Sequence, residues 1–192
     1  MSPDSVLGLC WILWVASWLA AAGWSGPTVS RPPRQKEFPY RITVIAGTIL
    51  LFGWFPNSRS AQGILWQTGN TLSWLMVGVA MSGLLFTWWA RITLGKLWSG
   101  EVTRKENHRV VDRGPYALVR HPIYTGIIFA SFATAILRGA VLSFVGFATM
   151  TLSWYIKARL EESFLREELG SGDYDAYARR VPMLIPSVKG RL

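Results

Sequence analysis

Apolar residues in this chain gather in long runs separated by short polar loops. Residues 6–24 form a first run of about one membrane thickness, residues 42–55 a shorter second, and residues 71–92 a third. Residues 123–156 form the longest. As one straight helix that run would extend about 50 Å, well past a ~30 Å hydrocarbon core. It is expected to fold back at Arg138-Gly139 as a helical hairpin. The pattern predicts an all-α integral membrane protein with five transmembrane helices, the last two forming that hairpin.

The loops add direction. Pro27, Pro32, Pro33 and Pro39 predict a loop over residues 26–40, made basic by Arg31, Arg34 and Lys36. The loop over residues 57–70 carries only Arg59, whereas Lys96, Arg104, Lys105, Arg109, Arg113 and Arg120 crowd residues 93–120. With five spans the basic loops and the basic C-terminal tail share one side. The positive-inside bias makes that side cytoplasmic and puts the N-terminus outside, in a bacterial inner (cytoplasmic) membrane. Ala20-Ala21-Ala22 resembles a leader cleavage region, but Asp4 and no Lys or Arg precedes the first run, so a retained helix is expected. Gly78 and Ser82 predict a close helix approach in the third span. Beyond residue 156, Arg159, Glu162 and Arg166 alternate with Glu161, Leu165 and Glu168 as on a helix leaving the bilayer, ended by Gly170 and Gly172. Asp173 is expected to cap a short helix bearing Tyr174 and Tyr177.

Composition narrows the function classes. Of 192 residues, 51% are hydrophobic, and the formal net charge is +9. The basic residues are split among loops, which suits anionic headgroups, and no recognition motif argues for nucleic acid. Several of the 11 Trp stand near run ends, where indoles favour the headgroup level. The one cysteine, Cys10, lies inside the first run and has no partner for a disulfide. The two histidines lack acidic or cysteine neighbours at ligand spacing, so no metal is expected. Glycine-rich nucleotide loops, the His-Glu-x-x-His pair and the Gly-x-Ser-x-Gly elbow are all missing.

The remaining polar groups are expected on one face. His108 to Gly126 is the densest polar and aromatic stretch, with a turn signal at Gly114-Pro115 and Pro122 suited to a first helical turn. Taken singly, Arg120 reads as a headgroup anchor, His121 as a capping residue, and Tyr116 and Tyr124 as interfacial aromatics. Glu161 and Glu162 read as a solvated face pairing with Lys157, Arg159 or Arg166, and only one of the two can face a given pocket. Tyr174, Tyr177, Arg179 and Arg180 read as a basic amphipathic surface segment.

Their order is more specific than any one of them. Trp98-Ser99, His108-x-Val-Val, Gly114-Pro115-Tyr116, Arg120-His121-Pro122-x-Tyr124-x-Gly126, Glu161-Glu162 and Tyr174-x-x-Tyr177-x-x-Arg180-Val181-Pro182 follow one another. From Leu94 onward, about half the chain, this resembles the isoprenylcysteine carboxyl methyltransferase family. Phospholipid N-methyltransferases share much of the pattern, and sterol-reductase membrane enzymes resemble it more distantly. The three N-terminal helices (1–92), read from the apolar runs, carry almost no family signal; the resemblance implies a catalytic region (93–192) after them. That region divides into a cofactor loop (93–122), the hairpin (123–156) and a C-terminal cytoplasmic segment (157–192). It implies S-adenosyl-L-methionine as cofactor, in a cytoplasmic pocket formed by the loop before the hairpin and the C-terminal segment. His108, Val110, Val111, Gly114, Tyr116, His121, Tyr124 and Glu161 or Glu162 are the implied cofactor-binding residues, with Arg104 or Lys105 as further candidates. Arg180, with Arg120 second, is the implied fork for an acceptor carboxylate, and Glu161 is counted with them as catalytic. The implied partner is a lipophilic or prenylated acceptor beside membrane lipids. Carboxyl O-methylation needs no base, whereas N-methylation of a lipid amine, the second function the pattern fits, needs Glu or His as one. An NADPH-dependent reductase of a sterol-type lipid and a non-catalytic membrane scaffold compete with both.

Overall fold

The structure is a computed structural model that describes residues 1–53, 63–105, 110–169 and 171–186. The described part of each apolar run is mainly helical, the longest run being divided between two helices. The N-terminal helix, α1 (Pro3–Ala20), is capped by the Ser2 hydroxyl, which accepts from the Ser5 amide, and runs on as a 3-10 turn, Ala21–Trp24. It is followed by α2 (Arg34–Phe52), α3 (Asn70–Leu94), α4 (Pro122–Arg138), α5 (Val141–Leu169) and α6 (Ser171–Arg180). Two short strands, β1 (Thr28–Ser30) and β2 (Arg104–Lys105), pair antiparallel.

Among the described residues, three stretches are long and apolar enough to cross a membrane: Pro3–Trp24, Asn70–Leu97 and Val141–Glu167. The α4 helix is apolar but shorter, and α2 begins with the charged residues Arg34, Lys36, Glu37 and Arg41. The outer surface is apolar where water would not tolerate it: Ile12, Leu19 and Leu85 are 66%, 71% and 61% exposed. The chain is an integral membrane protein.

Two local expectations are corrected. Residues 34–40, expected as loop, are helical, with Pro39 inside α2. Pro39 lies in the second turn, so the bond its missing amide forgoes is to the carbonyl of exposed Gln35, which water can satisfy. Helix α6 starts at Ser171, so Asp173 lies within its first turn instead of capping it.

Close packing rests on glycines at two crossings. A Cβ on Gly126 of α4 would stand 2.5 Å from the Gly83 carbonyl of α3, and one on Gly83 would stand 2.7 Å from the Gly126 carbonyl. Gly47 and Gly146 bring α2 and α5 together in the same way. The expected Gly78–Ser82 approach is not there: Gly78 faces open space and Ser82 is exposed. The buried stripe of α3 runs instead through Ser73, Val77, Ala80, Leu84 and Thr87, and Gly83 belongs to it. At the end of α4, Gly139 takes φ +58 and its carbonyl accepts from the Leu65 amide.

Helix α1 is fixed by indole N–H groups. Trp14 donates to the Thr87 hydroxyl at 2.7 Å, Trp11 to Thr134 at 3.0 Å, and Trp88 of α3 to Ser17 at 3.1 Å. Trp14 and Trp18 pack ring on ring, and Trp18 meets Trp98 edge-on. Trp11, Trp14 and Trp88 turn their N–H groups inward, where each needs a partner, whereas Trp24, Trp66, Trp74 and Trp89 are exposed.

A branched side chain at Gly126 must push α3 and α4 apart. Gly126→Val is expected to cost about 1–3 kcal/mol or more and to lower the midpoint of thermal unfolding in detergent. Gly78→Ala, which enters open space, is expected to leave that midpoint unchanged.

Candidate active site

Adjacent residues on a helix leave it about 100° apart, so Glu161 and Glu162 of α5 point to different surroundings. Both nevertheless reach His121, which immediately precedes α4. His121 Nδ1 is 3.5 Å from Glu161 Oε2, and Nε2 is 3.2 Å from Glu162 Oε1. The imidazole sits between the two carboxylates and lies flat against Tyr124, with ring centroids 5.4 Å apart. Tyr124 in turn stacks on Trp154 at 4.9 Å and donates its hydroxyl to Glu161.

Arg120 binds the other side of Glu162. Its Nε donates to Glu162 Oε1 at 2.7 Å, while Nη1 donates to the carbonyls of Ala178 and Val181 at 2.8 and 2.6 Å. The backbone repeats the tie: the Arg120 amide donates to Pro182, the His121 amide to Met183, and the Thr125 hydroxyl to Leu184. Tyr177 of α6 donates to the Tyr116 carbonyl at 2.7 Å. Helix α6 and residues 181–184 are thus strapped across the start of α4.

These elements wall one side of a cavity of about 860 Å³. Val110, Val111, Tyr116, Arg120, His121, Tyr124 and Glu161 all line it. Of the two glutamates, Glu161 faces the cavity; Glu162, 1% exposed, sits behind His121 and also meets Arg166 at 3.6 Å. Gly114 is outside the lining and turns the chain at φ +59. His108 lies outside the described residues, and Arg104 and Lys105 enter through their pairing in β2.

Arg180 departs from expectation. Its side chain is 68% exposed, stands 3.7 Å from Asp112, and does not line the cavity. Tyr174, Tyr177 and Val181 occupy the buried face of α6, and Arg180 falls to one side of it. Arg120 lines the cavity, but its Nε and Nη1 are engaged by the protein.

The charge state of His121 follows from its position. Burial alone would lower its pKa, but hydrogen bonds to Glu161 and Glu162 outweigh that and raise it above 6.5. Only an imidazolium has an N–H for each carboxylate. Nearby, the Arg41 guanidinium holds the Glu101 carboxyl below its usual range.

Lys157 is hidden in the charge pattern. It is 5% exposed and lines the cavity, with Nζ donating to the Gly100 carbonyl at 2.7 Å and standing 4.0 Å from Glu161 Oε1. The rings of Tyr40, Tyr124 and Trp154 surround it at 5.3, 5.4 and 5.8 Å. The spacing of Trp154, Lys157 and Glu161 marks one helical face and is the signal that could have found it. The N-terminal helices also contribute: Trp11, Trp14 and Val15 of α1 and Val44 and Thr48 of α2 wall the apolar part of the cavity.

The model of the isoprenylcysteine carboxyl methyltransferase (ICMT) family matches residues 76–167. The matched segment belongs to that family. Protein-S-isoprenylcysteine O-methyltransferase B of Arabidopsis thaliana is 31% identical over 102 residues, covering 52% of this chain and 51% of that protein. Methanethiol S-methyltransferase 2 of Bradyrhizobium diazoefficiens is 27% identical over 160 residues, covering 77% and 60%. Protein-S-isoprenylcysteine O-methyltransferase of Xenopus laevis is 28% identical over 123 residues, covering 54% and 43%. The chain thus spans about half the length of the curated relatives it matches. The ICMT segment contains Tyr116, Arg120, His121, Tyr124, Lys157, Glu161 and Glu162, whereas α1, α2 and α6 lie outside it.

Two outcomes follow. Arg120→Ala leaves Glu162 short of a partner and two carbonyls without a donor. It is expected to cost about 3–5 kcal/mol and to expose α6 to limited proteolysis. The raised His121 pKa contributes stability that is fully present below pH 6.5 and is lost as pH rises through its folded-state value. An NMR titration of the His121 ring is expected to show a pKa above 6.5 that falls in Glu162→Gln; a wild-type value at or below 6.5 contradicts the imidazolium.

Proposed function

We propose that this chain transfers a methyl group from S-adenosyl-L-methionine to a lipophilic acceptor, a carboxyl group of the isoprenylcysteine type. The observation that carries this is one continuous cavity with two kinds of wall. Tyr116, His121, Tyr124, Glu161, Tyr174 and Tyr177 give its lining a polar part, and Trp11, Ile12, Val15, Val44, Phe52 and Met150 an apolar part; along α5, Glu161 and Met150 are about three turns apart. A water-soluble cofactor fits the first lining and a hydrocarbon tail the second.

The residues at the polar end suit the cofactor. The cavity's volume is in the range of pockets that take small molecules. Glu161 presents a carboxylate whose other partners leave room for an amine or ribose hydroxyl, and such charge-assisted hydrogen bonds are the stronger kind. Val110, Val111, Tyr116 and Tyr124 supply apolar and aromatic surface for a purine. Glu162 acts through His121, which it orients from behind. When bound, the cofactor supplies an electrophilic methyl group. The protein's part is to hold the acceptor in line with that group and keep water away. An ionised carboxylate needs no base, so no proton has to move.

The placement in the membrane extends the same reading. Helices α2 and α4 complete five spans with α1, α3 and α5, and α4 and α5 act as the hairpin. The basic residues at 31–36, at and before the start of α2, and those at 93–120 support a polar end on the cytoplasmic side. The cofactor reaches it from water, and the acceptor's tail occupies the space between α1 and α2.

A second reading has support of its own. The methanethiol S-methyltransferase match covers 77% of the chain, more than the matches to the O-methyltransferases of Arabidopsis thaliana and Xenopus laevis. On that reading the acceptor is a small thiol and the cavity's apolar end holds its alkyl group.

Calorimetry with S-adenosylmethionine, followed by incubation with methyl-labelled cofactor and a farnesylcysteine analogue, tests the proposal. The expected result is binding and a base-labile labelled ester. Glu161→Gln is expected to weaken cofactor binding about tenfold or more, since hydrogen bonds to charged groups contribute about 1.5–3 kcal/mol. A wild-type protein that binds no cofactor and forms no labelled product overturns the reading.

A further inference from the structure

A methyl acceptor with an ionised oxygen or sulfur brings a negative charge into a largely apolar cavity, and that charge needs a cation. Arg180 stands outside the cavity. Arg120 lines it, but Nε and Nη1 are engaged by Glu162, Ala178 and Val181. Lys157 is differently placed. An ammonium has three N–H donors. One is directed to the Gly100 carbonyl at 2.7 Å, and the nearest carboxylate oxygen, on Glu161, is 4.0 Å away, beyond hydrogen-bond reach. Aromatic faces at 5.3–5.8 Å supply the rest of its surroundings. Such rings tolerate a cation without satisfying its N–H groups.

Its position along α5 matters as much. Lys157 is one turn before Glu161, at the polar end, and two turns after Met150, at the apolar end. It therefore stands at the seam where the reacting head of a lipophilic acceptor would lie.

We propose that Lys157 is the acceptor-binding cation of this cavity, and that it selects an anionic nucleophile, carboxylate or thiolate, over a lipid amine. The inference rests on the methyltransferase reading and gives its acceptor site a residue and a sign of charge. Methyl transfer to an anion forms one O–C or S–C bond and breaks the S–CH₃ bond of the sulfonium. The acceptor becomes a neutral ester or thioether; a carboxylate arrives ionised, whereas a thiol first releases its proton to solvent to become the thiolate. Lys157 thus binds the charged acceptor and loses its partner when the product forms, which favours release. A lipid ammonium at the same seam would meet a like charge, a repulsion that excludes the wrong acceptor.

The test uses the full chain in detergent. Binding of farnesylthioacetic acid, its methyl ester and farnesylamine is measured by calorimetry on wild type, Lys157→Met and Lys157→Arg, each first titrated with S-adenosylmethionine. Wild type is expected to prefer the acid over the ester by about tenfold or more, equivalent to ~1.4 kcal/mol. Lys157→Met is expected to lose that preference while keeping its cofactor affinity, and Lys157→Arg to keep both. A Lys157→Met protein that binds cofactor and still prefers the acid overturns the inference. So does a wild-type acid-to-ester ratio near one, which decides the matter even where the Met variant does not fold. Labelled product then separates the two anions: an ester from farnesylcysteine marks a carboxylate, and a thioether from a short alkyl thiol marks a thiolate. A methylated amine as the only product overturns the role of Lys157 and leaves the methyltransferase reading standing. Absence of S-adenosylmethionine binding in wild type overturns that reading itself, and this inference with it.

Discussion

Two neighbouring carboxylates withdrawn from water govern the cytoplasm-proximal half of this fold as proposed. Glu162 is almost fully buried and Glu161 lines the cavity, so each must find cationic or donor partners within the protein. The partners come from three places in sequence. His121 bridges both, Arg120 takes Glu162, and Tyr124 donates to Glu161. Because Arg120 also holds the carbonyls of Ala178 and Val181, neutralising the pair draws in the C-terminal segment as well. The loop before α4, the end of α5 and α6 are therefore positioned by one electrostatic requirement. Apolar packing alone, which is non-directional, would not specify that register.

The arrangement separates support from chemistry. Glu162 is bound by Arg120 and His121, and Arg120 Nε and Nη1 are engaged by Glu162 and two carbonyls; their role is to hold His121 and the C-terminal strap. Glu161 and Lys157 have capacity left over and line the cavity. This division cannot be read from the motif order, where Arg120, Glu161 and Glu162 carry equal weight. Arg180 shows the same limit. Its place in the motif is right, but a side chain on the edge of the buried face of α6 points to Asp112 and solvent.

Much of the fold is legible in the sequence because long apolar runs have few alternatives to helix in a membrane. The third run, α4 and the extension of α5 to Leu169 lie close to their expected bounds. Residues 34–40 mislead because four prolines outweigh the one fact that matters, which is where in the helix Pro39 falls. Gly78 and Ser82 mislead because the spacing of small residues does not say which face of α3 is buried. Trp11, Trp14 and Trp18 bond or stack inward, a role that their place in an apolar run does not announce. In each case the deciding information is long-range. The same holds for Lys157, which is interior only because Tyr40 of α2 and Gly100 close over it.

The two halves of the cavity also differ in origin. Every named residue around the carboxylate pair up to Glu162 lies within residues 76–167, the segment shared with the ICMT family. The apolar wall comes largely from α1 and α2, which lie outside it. On the proposed reading, the chemistry of cofactor binding is confined to one wall, and the wall that meets the acceptor is free to change. Lys157 stands where the two meet: its backbone belongs to the shared segment, and its ammonium is enclosed by Tyr40 from α2. A change in α2 can therefore alter what the seam accepts without disturbing His121 or the carboxylates that hold it. The relatives carry acceptor names as different as a prenylated cysteine and methanethiol. A cofactor wall fixed by buried charge, facing an acceptor wall fixed only by apolar contact, is a physical arrangement under which such differences can arise.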